Sequence, residues 1–107
     1  IAPGSTEIDE ARKMQAISIT SNEKSLNIME LAGLITKASY VIANDTGPAH
    51  MAAHLGQIGT VLFGSHTTAK KVSIETDKFK AISIDNLNHL TAEDVYLAIK
   101  EKLELVN

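Results

Sequence analysis

Tyr40-Val-Ile-Ala-Asn-Asp-Thr-Gly-Pro-Ala-His-Met-Ala-Ala-His-Leu-Gly56 carries three structural signals in succession. Tyr40–Ala43 is a short run rich in β-formers and predicts a buried strand. Asn44-Asp45-Thr46-Gly47 is turn chemistry. Pro48 then opens a predicted helix, Pro48–Leu55, because proline at the first turn forgoes only an N–H without a helical partner. Gly56 suits the C-terminal cap. The same alternation continues on both sides. Ala16–Thr20, Thr60–Phe63 and Ala81–Ile84 read as further strands, with Ile1–Ala2 as the stub of another. Glu7–Met14, Ile28–Ala38 and Ala92–Leu105 read as helices. Strands alternating with helices define an α/β chain with a doubly wound parallel sheet and helices on both faces. Ligands of such sheets bind outside the carboxyl ends of the strands, which directs attention to Asn44–Pro48.

Ile28–Ala38 has the clearest helical period. Ile28, Leu31, Ala32, Ile35 and Ala38 share one face. Asn27 with Glu30 three residues on is a capping-box start. Thr91 is the predicted N-cap of the last helix, with Glu93 and Asp94 in its electropositive first turn. Lys13–Thr20 and Lys78–Asp85 are similar segments, both containing Ala-Ile-Ser-Ile, but two short copies do not make a repeat architecture. Met14, Met29 and Met51 are expected at helix–sheet contacts. Lys70-Lys71 and Lys100-Glu-Lys102 read as solvated faces.

Composition excludes several functions. At 107 residues the chain has room for one domain with its own core. It has no cysteine, so disulfides and thiolate metal sites are ruled out. Ten Lys and Arg against thirteen Asp and Glu give a net charge of −3, which lacks the basic footprint of a nucleic-acid binder. Two Tyr, two Phe and no Trp offer few rings for stacking single strands. No apolar run approaches the roughly 20 residues that span a bilayer. The first residues do not read as a signal peptide. Ile1, in place of Met, is read as the start of a piece of a longer protein.

The turn after Tyr40–Ala43 combines groups suited to an anion. A helix start presents unpaired N–H groups and about half a positive charge. Thr46 adds a hydroxyl, and Gly47 lets backbone approach a ligand with no Cβ in the way. Together these fit a phosphate or pyrophosphate. Asp45 at the strand tip is placed to accept hydrogen bonds from sugar hydroxyls, and His50 lies one turn into the helix. The same residues also compose an ordinary turn with an Asp or Thr helix cap, and taken alone they leave both readings open. His50 and His54 have a zinc-like i, i+4 spacing. The residues between them are Met-Ala-Ala, without the glutamate of an H-E-x-x-H site, so no metal is expected and His54 is read as capping or packing near the helix end. Neither Ser65 nor Thr46 sits in a nucleophile elbow.

Asn44-Asp-Thr-Gly-Pro-Ala-His-Met-Ala-Ala53, followed by Leu55-Gly56 and Val61-Leu-Phe-Gly64, resembles glycosyltransferase family 9, the ADP-heptose:lipopolysaccharide heptosyltransferases and their relatives. The similarity extends to Asn27–Ala38, Gly4–Arg12 and Leu90–Val95. It implies a Rossmann-like sheet, most of the C-terminal, donor-binding half of a two-domain GT-B enzyme, with residues 1–107 as a single donor-nucleotide domain. By resemblance, Asp45 contacts the donor sugar, Thr46 and Gly47 hold the diphosphate, His50 lies beside it, and Leu26 lies near the adenine. Asp9 matches an acidic residue that contacts the nucleoside; the match slips by a residue or two, so Glu7 and Glu10 stand as alternatives. No cofactor is implied beyond the substrate, an ADP-sugar such as ADP-heptose. The acceptor, a lipopolysaccharide core, would meet a first domain that this chain lacks, along with its general base and its Lys/Thr phosphate loop. The implied location is cytoplasmic, peripheral at the inner face of the inner membrane. The chain alone is expected not to transfer sugar. The family often has Phe-Gly-Pro-Thr-Asp-Pro where this chain has Phe63-Gly-Ser-His-Thr-Thr68, so His66 and Thr67 gain no role from the resemblance. The alternative reading is an isolated, non-catalytic nucleotide- or protein-binding α/β module.

Overall fold

The computed structural model describes residues 1–64, 74–83 and 89–106, with side chains described to 104. The chain divides into two compact units, Ile1–Leu34 and Ile35–Asn107.

The second unit holds the sheet. β1 (Val41–Asn44), β2 (Gly59–Phe63) and β3 (Phe79–Ser83) are parallel and lie in the order β1-β2-β3. Val41 pairs with Gly59, and Gly59 with Phe79. β2 is the central strand. Val61 and Phe63 are fully buried and Thr60 nearly so, as expected of a strand covered on both faces. Its Thr60 hydroxyl is satisfied by the Tyr40 hydroxyl at 2.6 Å. α3 (Gly47–His54) follows β1 and packs on β1 and β2 through the small side chains Ala49, Ala52 and Ala53. It ends in a Schellman motif: the Gly56 amide donates to the Ala53 carbonyl and the Gln57 amide to that of Ala52. Gly56 takes φ +75, the left-handed value that the cap requires. The last helix, here α4 (Ala92–Val106), buries Ile99. Thr91 caps it as predicted, and Asp94 closes a reciprocal box with the Thr91 amide at 3.2 Å.

Gln57 ties three pieces together, and nothing in the sequence pattern announced it. Its Nε2 donates to the carbonyls of Ile35 and Ala38, both at 2.6 Å, while its Oε1 accepts from the Ile58 amide. One side chain thus satisfies carbonyls around the end of one helix and braces the entry to β2. Gln57→Ala leaves these part-buried groups unpaired and is expected to cost about 2 kcal/mol. Chemical denaturation is the check, and an unchanged midpoint would show that water replaces the amide.

The first unit has little core. α1 (Ile8–Arg12) and most of α2 (Ile28–Lys37) belong to it, yet its one buried residue is Ala11. The predicted strand Ala16–Thr20 does not form, and Ile17 is 82% exposed. Only the Ile1 amino group bonding the Ile17 carbonyl, and the Ile19 amide bonding the Ile1 carbonyl, mark a single parallel-type pairing around Ser18. A β-prone segment without a ladder partner has nothing to propagate from. The apolar stripe of α2 is only partly used: Ile35 is buried, whereas Ile28 is 73% exposed. Met14 and Met29 are likewise exposed and fill no helix–sheet contact, against expectation. Ile1–Ala2, read as the stub of a strand, is not in one either; the remaining elements match their predicted type within one to two residues at each described end. Ile84, Ser65–Thr68 and Lys70-Lys71 lie outside the described residues.

The start of α2 is well capped. The Glu30 amide donates to Asn27 Oδ1 at 2.8 Å, and the Asn27 amide to Glu30 Oε1 at 2.9 Å. The Asn27 amide, with a further hydrogen bond from Ser21, holds the Glu30 carboxyl below its ordinary value of 4.5. A depressed folded-state pKa means that this cap contributes fully above the ordinary value and is lost as pH falls through the lowered one. Acidification below pH 4.5 is therefore expected to fray the first turn of α2, visible as loss of the Glu30 and Asn27 amide signals. Glu30→Gln should remove that acid transition.

Candidate donor site at the carboxyl end of β1

β1 delivers Asn44 to the carboxyl edge of the sheet, and the chain turns there into α3. Thr46 is the N-cap, with extended backbone at φ −143 and ψ 175. It makes no side-chain cap bond; its hydroxyl donates instead to the Asn44 carbonyl at 3.3 Å. The plain reading of this turn, a helix capped at Thr46, has its residue in place but without the side-chain bond to the helix. The amides of Ala49 and His50 both donate to the Thr46 carbonyl, at 3.1 and 3.3 Å, and Pro48 has no N–H. The amides of Thr46 and Gly47 meet no acceptor among the described residues. The helix start therefore offers two donors that meet no acceptor among the described residues. No acidic residue occupies the first turn of α3, so its partial positive charge is not offset from within the helix.

Space at this point is open. A Cβ built on Gly47 meets nothing within 4 Å. Asp45 is mostly buried, its side chain 20% exposed, and Oδ1 lies 3.7 Å from His50 Nε2. The helix turn brings those two side chains together, as their spacing implied. His54 faces elsewhere: its Nδ1–H donates to the His50 carbonyl at 2.8 Å, which fixes the tautomer and spends that nitrogen on the backbone. Among the described residues no three His, Asp or Glu side chains converge.

Two predicted site residues belong to the first unit. Leu26 is half-buried just before the Asn27 cap, and Asp9 sits in the first turn of α1. Of the three acidic alternatives there, Glu7 Oε1 accepts from the Gly4 amide at 3.2 Å and Glu10 pairs with Lys13 at 3.1 Å. Asp9 makes no such contact among the described residues.

A three-stranded parallel sheet whose first strand runs into a polar turn and a helix start is consistent with a Rossmann-like fragment. The chain belongs to glycosyltransferase family 9, the heptosyltransferase family, which it matches over residues 8–97. Membership makes glycosyl transfer, with a sugar-nucleotide donor and an acceptor, the chemistry of its class. Comparison with curated proteins and with solved structures returned no match. No helix among the described residues is long and apolar enough to cross a membrane.

Proposed function

We propose that this chain supplies part of the donor site of a glycosyltransferase that moves heptose, or a related sugar, from an ADP-sugar to a lipopolysaccharide-core hydroxyl. The observation that carries the reading is the start of α3, where Thr46 makes no side-chain cap bond and the Thr46 and Gly47 amides meet no acceptor among the described residues, beside Asp45 in a chain of this family. These amides would bind the diphosphate and stabilise the charge that builds on it as the glycosidic bond breaks. Asp45 would accept from hydroxyls of the donor sugar and fix its orientation. His50 would sit beside the diphosphate. Leu26 would flank the adenine. Asp9 is preferred to Glu7 and Glu10 for the nucleoside because those two carboxylates are already engaged. Displacement would be direct, with inversion at the anomeric carbon, and the base that deprotonates the acceptor would come from a domain outside this chain.

Gly47→Ala separates this role from a merely structural one. The site has room for a methyl group and the glycine is not in a left-handed conformation, so the substitution should leave stability unchanged or raise it slightly. A bound diphosphate at the Gly47 amide would meet that methyl group. The expected result is ADP affinity weakened by about tenfold or more in calorimetric titration, on an unaltered melting temperature. Equal ADP affinity in both proteins would remove the Gly47 amide from the site.

A further inference from the structure

The two edges of the sheet, β1 and β3, are built differently. β3 carries the exposed Lys80 as its second residue, the kind of charge that keeps strand edges apart. β1 carries no charge, and its Ile42 is half exposed. The rim of β1 is also unbonded. The Val41 amide donates inward to the Ile58 carbonyl at 3.0 Å, so the parallel register turns the backbone groups of the alternate residues Tyr40, Ile42 and Asn44 outward. Among the described residues the Tyr40 and Ile42 amides and carbonyls and the Asn44 amide meet no backbone partner. The Asn44 carbonyl takes only the Thr46 hydroxyl, at 3.3 Å.

An edge of this kind takes an extended strand, because its donors and acceptors recur at strand spacing. Its pattern is also its own complement. Turned about a two-fold axis through Ile42, a second β1 runs antiparallel to the first. The two Ile42 residues then exchange both N–H···O=C bonds, and each Asn44 stands opposite Tyr40 of the other copy. The two half-exposed Ile42 side chains cover one another. Charge permits the pairing: the two Asp45 carboxylates fall at its opposite ends, about 20 Å apart along the strands and beyond the reach of screened repulsion.

We propose that the outer edge of β1 is a self-association surface, through which two copies of this chain join β1 to β1 antiparallel in one continuous sheet. β1 has only four residues, so the contact is small and the dimer weak, with Kd on the order of 100 μM. The inference does not depend on the donor site.

Sedimentation equilibrium of the whole chain, with amide exchange followed by NMR, tests it on wild type, Ile42→Lys, Ile42→Pro and Ile42→Val. Lysine sets two charges against each other at the axis. Proline deletes the outward N–H and spares the ladder to β2, as an edge strand allows. The expected result is a monomer–dimer equilibrium in wild type, about tenfold weaker or more in the lysine and proline variants and within about twofold for Ile42→Val. In wild type the Ile42 amide should gain protection as concentration rises, while the Val41 amide, bonded inward, is protected throughout. That exchange pattern decides the matter even if a variant fails to fold. A wild-type chain that stays monomeric up to about 1 mM would overturn the proposal. So would a dimer that survives both disruptive substitutions, or an Ile42 amide whose exchange ignores concentration, since association would then use another surface.

Discussion

Replacing Gly59 by alanine is expected to destabilise the sheet by about 3 kcal/mol, at the upper end of overpacking costs. Gly59 opens β2 and stands between Val41 and Phe79 in the two ladders. A Cβ there would collide with the Val41 carbonyl oxygen and lie 2.6 Å from the Phe79 ring. Neither neighbour can give way cheaply. The carbonyl belongs to the strand beside it, and Phe79 is fully buried. The Gly59 amide also bonds the Lys78 carbonyl at 3.0 Å, so backbone retreat would break the β2–β3 entry. Against a total stability of about 5–15 kcal/mol, such a loss leaves little margin. Urea denaturation of Gly59→Ala beside Gly47→Ala gives the cleanest contrast, since the second methyl group meets nothing. Equal midpoints would mean that β2 sits further from its neighbours than the register implies.

Asp45→Ala carries the largest expected effect on activity. Under the proposed function, the carboxylate fixes the donor sugar while the anomeric carbon reacts. Loss of a group that orients or stabilises the reacting centre costs about a hundredfold or more in kcat/KM. The assay is sugar transfer by the full-length enzyme that carries this unit. Asp45 is mostly buried, so the melting temperature of the variant is measured alongside its turnover. His50 loses a neighbouring carboxylate at 3.7 Å. Unchanged turnover would exclude Asp45 from the donor site.

The second unit was legible because its signals are local. A β-branched run, a proline at the first turn and a glycine after the last one each have a mechanism that acts within a few residues. Tyr40–Gly56 therefore folds as read. One capping box was fully legible, Asn27 with Glu30, and the other half so, since Thr91 was read as the cap but Asp94 only as a first-turn charge. Gln57 was not legible, since its partners Ile35 and Ala38 are some twenty residues away and only the tertiary fold brings them to it. Ala-Ile-Ser-Ile makes the same point directly. Ala81–Ser83 joins a ladder against β2, while Ala16–Ile19 remains outside any strand. Strand propensity reports how well residues fit a pleated, half-buried surface, and the surface must come from elsewhere. The pattern placed Asp45, Thr46, Gly47 and His50 at the turn between β1 and α3, where the structure has them. The Ala49 amide turns back to the Thr46 carbonyl in an i→i−3 bond, beside the regular i→i−4 bond of His50.

The central claim is that the Thr46–Gly47 helix start holds the donor's diphosphate. A crystal structure of the chain soaked with ADP tests it most directly. Diphosphate oxygens are expected about 2.7–3.2 Å from both amide nitrogens, in the open space over Gly47. A diphosphate bound elsewhere, with those amides still unpaired, would contradict it.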